Sequence, residues 1–405
     1  MTLPDRPRLR ALEVLPVVEG GRRSIVLRDP LGLAQGIAIL PLPIVPIALA
    51  LDGTRTLVEI HREAAGQMDE LPMEVVEEVV RQLEEAHFLE GAGFETHRSD
   101  VIERFRASPA RAAAHAGGAY EADRAALGAQ IDAMHAAYGS AARSVGPDLP
   151  PVLPSRRLRG LVAPHIDLRR GARAYGAAYA ALRSAADATV FVVFGTAHAP
   201  VERPWAITEK SYATPLGIVP TDATLVRDIE RRFGGDARRD ELAHMNEHSI
   251  EFQAVMLRHA LPDRELSIVP ILCGRLRPGT AETEDLIGAV QGALAADGRK
   301  ACVIAGADLA HVGPRFGDAS AYSPAARSAL EVRDRESMAL VGAGDGPGFF
   351  NHVAEDDETR RVCGTSPIYA TLGVLGAAAG ELLMYEQNVD ASDGSIVSYA
   401  ALTLR

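Results

Sequence analysis

From residue 158 onward the chain alternates short, predominantly apolar runs with segments of helical periodicity. That alternation limits the available folds more than any other feature. The apolar runs are 161–163, 189–194, 266–272 and 301–305, and between them 174–186, 225–233, 249–259 and 283–296 repeat at helical spacing. A strand apolar on both faces must be covered on both faces, so the pattern predicts an α/β sheet between helices. Residues 395–404 read as one more strand.

The first hundred residues have a different texture. Apolar runs at 12–18 and 24–27 are joined through Glu19-Gly20-Gly21-Arg22, a hairpin signal. Helical spacing follows at 57–65. Pro72 then opens a helix whose Val75, Val76, Val79, Val80, Leu83 and Ala86 form one stripe, with Gly91 and Gly93 expected to stop it. The expected organisation is a small α+β, winged-helix-like domain over 1–97, a linker at 98–108 and an α/β domain over 108–405. Within the latter, 123–137 reads as a helix, 140–154 as a loop, and Gly342, Gly344, Gly346 and Gly348 as a loop rather than a phosphate cradle.

Residues 31–51 carry Gln35 as their only strongly polar side chain and are long enough to cross a bilayer. Pro41, Pro43 and Pro46 break any such helix, so a buried strand, a turn and a short helix are expected instead. No membrane partner is expected. A net charge of −12 argues against non-specific nucleic-acid binding. Residues 61–100 hold eleven acids against three arginines, which reads as a solvated helix face or as an acidic docking surface for a basic partner. Cys273, Cys302 and Cys363 are odd in number and widely spaced, and residues 1–10 show no apolar signal core; both suit a cytoplasmic chain. Two lysines against forty arginines suggest high-GC bacterial coding.

Ligands of open α/β sheets bind beyond the carboxyl ends of the strands. Three strands end in histidine: 161–163 leads into Pro164-His165, 189–194 into Gly195-Thr196-Ala197-His198, and 301–305 into Asp308 and His311. Imidazole is the commonest metal ligand and general base. A fourth piece, Asn246-Glu247-His248-Ser249-Ile250-Glu251, opens a helix that Asn246 or Ser249 would cap. It reads either as a capped helix with solvated acids or as His248 and Glu247 at the mouth of the cleft. The fifth is Cys363, between Arg361-Val362 and Gly364-Thr365-Ser366-Pro367, which suggests a tight turn before a helix. Cys273 and Cys302 read as core.

These pieces, in this order, resemble the Memo family, in particular the "AmmeMemoRadiSam system protein B" members with an N-terminal extension. The resemblance also rests on Arg315-Phe316, on Val397-Ser398-Tyr399-Ala400-Ala401, and on Ala113–Tyr120 as the opening segment, over about residues 108–405. The run 51–60 and the acidic helix after it resemble small PqqD-like peptide-recognition domains. The resemblance implies a fold akin to class III non-haem iron dioxygenases and a metal pocket of His165, His198 and Cys363. His248, Asp308 and His311 would then orient ligands or carry protons. Ala199, Val312 and Thr365 stand where the family often has His, an aromatic and Arg, which bears on substrate contacts. Two imidazoles and a thiolate suit iron or copper, with zinc also possible. The expected function is metal-dependent redox chemistry with oxygen at an open position; a zinc hydrolase and a non-catalytic peptide- or partner-binding scaffold are the alternatives. The family name implies a radical-SAM protein and an AMMECR-like protein as partners, with a peptide substrate at the N-terminal domain. Cys363 as a nucleophile activated by a histidine is a further option.

Overall fold

A computed structural model describes residues 3–19, 22–34, 36–66, 71–144, 157–236, 238–356 and 359–405. The chain divides into two units, Met1–Ser108 and Pro109–Arg405.

The first unit opens with an antiparallel sheet, β1 (Glu13–Glu19), β2 (Arg22–Arg28) and β3 (Ile37–Pro41), in that spatial order. Gly20-Gly21 lie outside the described residues. β3 begins the stretch expected as a buried strand, but only its Leu40 is buried, because the other face of this three-stranded sheet has no cover within the unit. A 3-10 turn and α1 (Val45–Leu49) follow. α2 (Leu57–Ala65) starts at a reciprocal cap in which Thr56 and Glu59 each accept from the other's backbone N–H. The stripe of α3 (Met73–Glu85) is buried at Val76, Val79, Val80 and Leu83. α3 ends before Gly91: Ala86 is its C-cap, and His87 after it has a φ of +63°. Gly91 instead caps α4 (Ala92–Ala107), so the segment expected as a linker is helical. α4 buries only Phe94 and Phe105, which leaves no apolar stripe to read. Among the described residues no helix is long and apolar enough to cross a membrane.

The second unit starts with β4 (Ala110–Arg111) and α5 (Arg124–Ser144), whose last turn lies in the expected 140–154 loop; 145–154 are not described. Next come β5 (Gly160–Ala163), α6 (Ala172–Ala185), β6 (Val190–Thr196), β7 (Trp205–Ile207), β8 (Ser211–Thr214) and β9 (Gly217–Val219). α7 (Ala223–Phe233), α8 (His248–Ala260), β10 (Ser267–Cys273), α9 (Ala281–Asp297), β11 (Ala301–Gly306) and β12 (Asp308–Val312) follow. The chain ends with α10 (Pro324–Gly342), α11 (Gly346–Ala354), α12 (Thr365–Leu375), β13 (Gly380–Val389) and β14 (Ile396–Leu404). The four glycines expected as a loop fall at the junction of α10 and α11, with Gly342, Gly346 and Gly348 inside the helices.

The main sheet has the order β12-β14-β5-β11-β6-β10-β7, with β13 pairing β14. β5, β11, β6 and β10 are parallel, and antiparallel β14 and β7 flank them, so the sheet is mixed. β5 and β6 are buried at every residue. α7, α9 and α12 pack on the face presented by Val190, Val192 and Phe194, and α6 and α8 pack on the other. Cys273 and Cys302 are buried core, as expected. A small sheet, β4-β8-β9, pairs Arg111 with Tyr212.

Candidate metal centre

The parallel strands deliver their following residues to one edge. His165 leaves β5, His198 follows β6, and His248 is the first residue of α8, which lies against that edge. The close approach needs glycine: a Cβ on Gly195 would stand 2.4 Å from Ser249 Oγ, and one on Gly306 2.5 Å from Ser249 O. The result is a cluster of three imidazoles whose ligand atoms all lie within 4.8 Å of one another. The rings of His198 and His248 stack at 4.7 Å and 18°, while His165 meets both nearly edge-on at 5.1 and 5.3 Å.

Cys363, in the turn before α12, places Sγ 3.2 Å from His165 Nε2. Gly364 N–H donates to Asp308 O, and Thr196 Oγ1 donates to the Cys363 carbonyl, so two strand ends hold that turn. Asp308 Oδ1 accepts from His165 N–H at 2.8 Å, and its Oδ2 lies 3.8 Å from His165 Nε2. His311 stands aside from the trio: its Nδ1 pairs with Leu309 O, and its ring sits edge-on to Phe316 at 5.1 Å.

Glu247 organises the other side. It is 4% exposed and is itself the N-cap of α8, accepting from Ser249 N–H, in place of the cap expected from Asn246 or Ser249. Its carboxylate also accepts from His198 N–H, lies 3.0 Å from His198 Nδ1 and 3.3 Å from His248 Nδ1. Glu251, on the same face one turn on, is fully buried. The reading of these acids as solvated is therefore overturned: both are consumed inside the protein.

Charge alternates through the pocket. Burial alone would lower His165, but Cys363 and Asp308 outweigh it and bring it up to about 9. Burial would raise the Cys363 thiol, yet His165 and His311 pull it down to about 5. His198 is raised well above the ordinary histidine range because Glu247 and Cys363 overcome its burial. His248 is pushed well below that range by burial, with His198 and His165 adding to it. The pocket thus favours the charged forms of His165, His198, Glu247 and Cys363 and the neutral form of His248.

This donor set fits a metal ion. Ligating histidines characteristically have the second ring nitrogen held by a carbonyl or carboxylate. Here Nδ1 of His165 faces Gly306 O at 2.9 Å, and Nδ1 of His198 and of His248 faces Glu247. Nε2 of each ring is the atom left apart from these partners. His248, expected at the mouth of the cleft, joins the two strand-end histidines in the cluster. Arg111, which bonds to the backbone of this region, gave no signal at all.

The fold and the pocket define an α/β protein with a three-histidine cluster, and a cysteine beside it, at the carboxyl edge of its sheet. The sequence pattern of Memo-like proteins matches residues 111–403. A MEMO1 family protein of Aquifex aeolicus is 27% identical over 401 residues, covering 98% of this chain and 99% of its own. A MEMO1 family protein of Methanothermobacter thermautotrophicus is 30% identical over 300 residues, covering 72% of this chain and 99% of its own. The chain belongs to the Memo-like family.

Proposed function

We propose that the second unit is a metal-dependent oxidoreductase domain in which His165, His198 and Cys363 hold an iron or copper ion. The observation that carries this reading is the convergence of three imidazoles, each with Nδ1 held by a carbonyl or carboxylate, beside a thiol that the pocket keeps ionised. When bound, such an ion supplies one-electron chemistry, and a three-ligand set leaves a position open. The protein's own groups do the rest. Asp308 fixes the His165 backbone, Glu247 fixes the His198 ring, and His248 stands neutral at the mouth, where 30% of its side chain is exposed.

Titration with cobalt(II) tests the donor set. A thiolate-to-cobalt charge-transfer band, lost in Cys363→Ser and kept in His248→Ala, is the expected result. Loss of binding in His248→Ala would make His248 a ligand, and an unchanged spectrum in Cys363→Ser would remove the thiolate from the site.

The 3.2 Å contact between Cys363 Sγ and His165 Nε2 favours one other reading, a thiol–imidazole nucleophile pair. That reading predicts turnover insensitive to chelators. In either case the first unit, with its acidic α3, is proposed as the part that engages a peptide or a partner of the radical-SAM or AMMECR-like type.

A further inference from the structure

Arg111, in β4, is fully buried and 140 residues from its ion partner Glu251, which is also fully buried. The guanidinium serves more than that carboxylate. Nε donates to His244 O at 2.8 Å and Nη2 to Glu247 O at 2.6 Å. Both acceptors belong to the stretch that carries Glu247 and His248 into the pocket. The Tyr212 ring lies 5.1 Å from the guanidinium, across the β4–β8 pair. Glu251 is equally committed: besides Arg111 it accepts from Tyr120 O–H and from His115 N–H at 3.0 Å.

A buried ion pair adds little net stability over well-packed apolar side chains, and its better attested use is to fix register. Here both members spend their remaining bonding capacity on backbone and on the 111–120 segment. We propose that Arg111 and Glu251 are positioning residues: the fork of Arg111 sets where residues 244–248 run, and hence where Glu247 and His248 stand, and Glu251 binds the 115–120 segment to the same point. The binding readout below rests on the metal-centre reading, whereas the spectroscopic readout does not.

Three proteins test this: wild type, Arg111→Lys and the double variant Arg111→Met/Glu251→Leu. Lysine keeps the buried charge but lacks the planar fork needed to hold two carbonyls and a carboxylate together. The double variant removes both charges, so it folds without an orphaned ion. The measurements are the cobalt(II) Kd and the ring nitrogen resonances of His248 at fixed pH, assigned by comparison with His248→Ala. Kd is expected to rise about tenfold or more in both variants, the usual consequence of losing an outer hydrogen-bonding partner, with the His248 resonances displaced. A folded double variant with wild-type Kd and unmoved His248 resonances would overturn the proposal. Wild-type protein that takes up no cobalt, with His248 resonances still displaced in Arg111→Lys, would overturn the metal reading and support the positioning role.

Discussion

Replacing Glu247 by Gln is the most revealing single change in the pocket. The carboxylate receives Ser249 N–H at 2.9 Å and His198 N–H at 3.0 Å, and faces His198 Nδ1 at 3.0 Å. An amide keeps one acceptor oxygen and turns two donors toward groups that are themselves donors. At least one charge-assisted bond is lost, at about 1.5–3 kcal/mol. The same change frees the His198 ring, and the loss of such a partner weakens metal binding by about 10–100-fold. Trp205 is the sole tryptophan and is 1% exposed in β7, so its fluorescence reports unfolding of the second unit. Urea unfolding followed at Trp205, beside cobalt(II) competition titration, reads both effects. A variant with the wild-type unfolding midpoint and a Kd within twofold of wild type would refute the assignment of Glu247 as the group that orients His198.

Other consequences follow from the same geometry. In metal-free protein Cys363 ionises near pH 5, so alkylation by iodoacetamide should stay fast at neutral pH and fall only as pH drops through about 5; His165→Ala should shift that midpoint upward. A midpoint near the ordinary thiol value in wild type would contradict the coupling. Gly195→Ala drives a methyl to 2.4 Å from Ser249 Oγ and 2.6 Å from Ile250 Cγ1; it should cost about 1–3 kcal/mol and weaken metal binding, because α8 must retreat. Unchanged thermal unfolding would show that the α8 contact is not tight. In the first unit, Thr56→Ala removes the α2 cap and should cost about 1 kcal/mol, read by amide exchange along α2.

The sheet was legible because strands buried on both faces are apolar almost throughout, as in 190–194. His165 and His198 were legible because the fold class fixes the edge to which strand ends go, whereas His311, expected there too, lies within β12 and outside the cluster. Elements whose residues are half-buried throughout were not. β13 is intermediate at all ten positions and shows no alternation, and α4 buries two residues of sixteen. β12 was not foreseen as a strand; it pairs with β14 through a register shift between Asp308 and His311. The burial of Glu247 and Glu251 was invisible for a different reason. Helical spacing puts two acids on one face, but whether that face meets water depends on Arg111 and His198, distant in sequence. The Arg111–Glu251 pair spans 140 residues and leaves no local trace.

The central claim is that the pocket holds a redox-active metal through His165, His198 and Cys363. The direct measurement is elemental analysis of untagged protein purified under anaerobic conditions, beside His165→Ala/Cys363→Ser. Near-stoichiometric iron or copper in the wild type, absent from the variant, is the predicted result. Equal metal content in the two proteins, or none in the wild type, would contradict it.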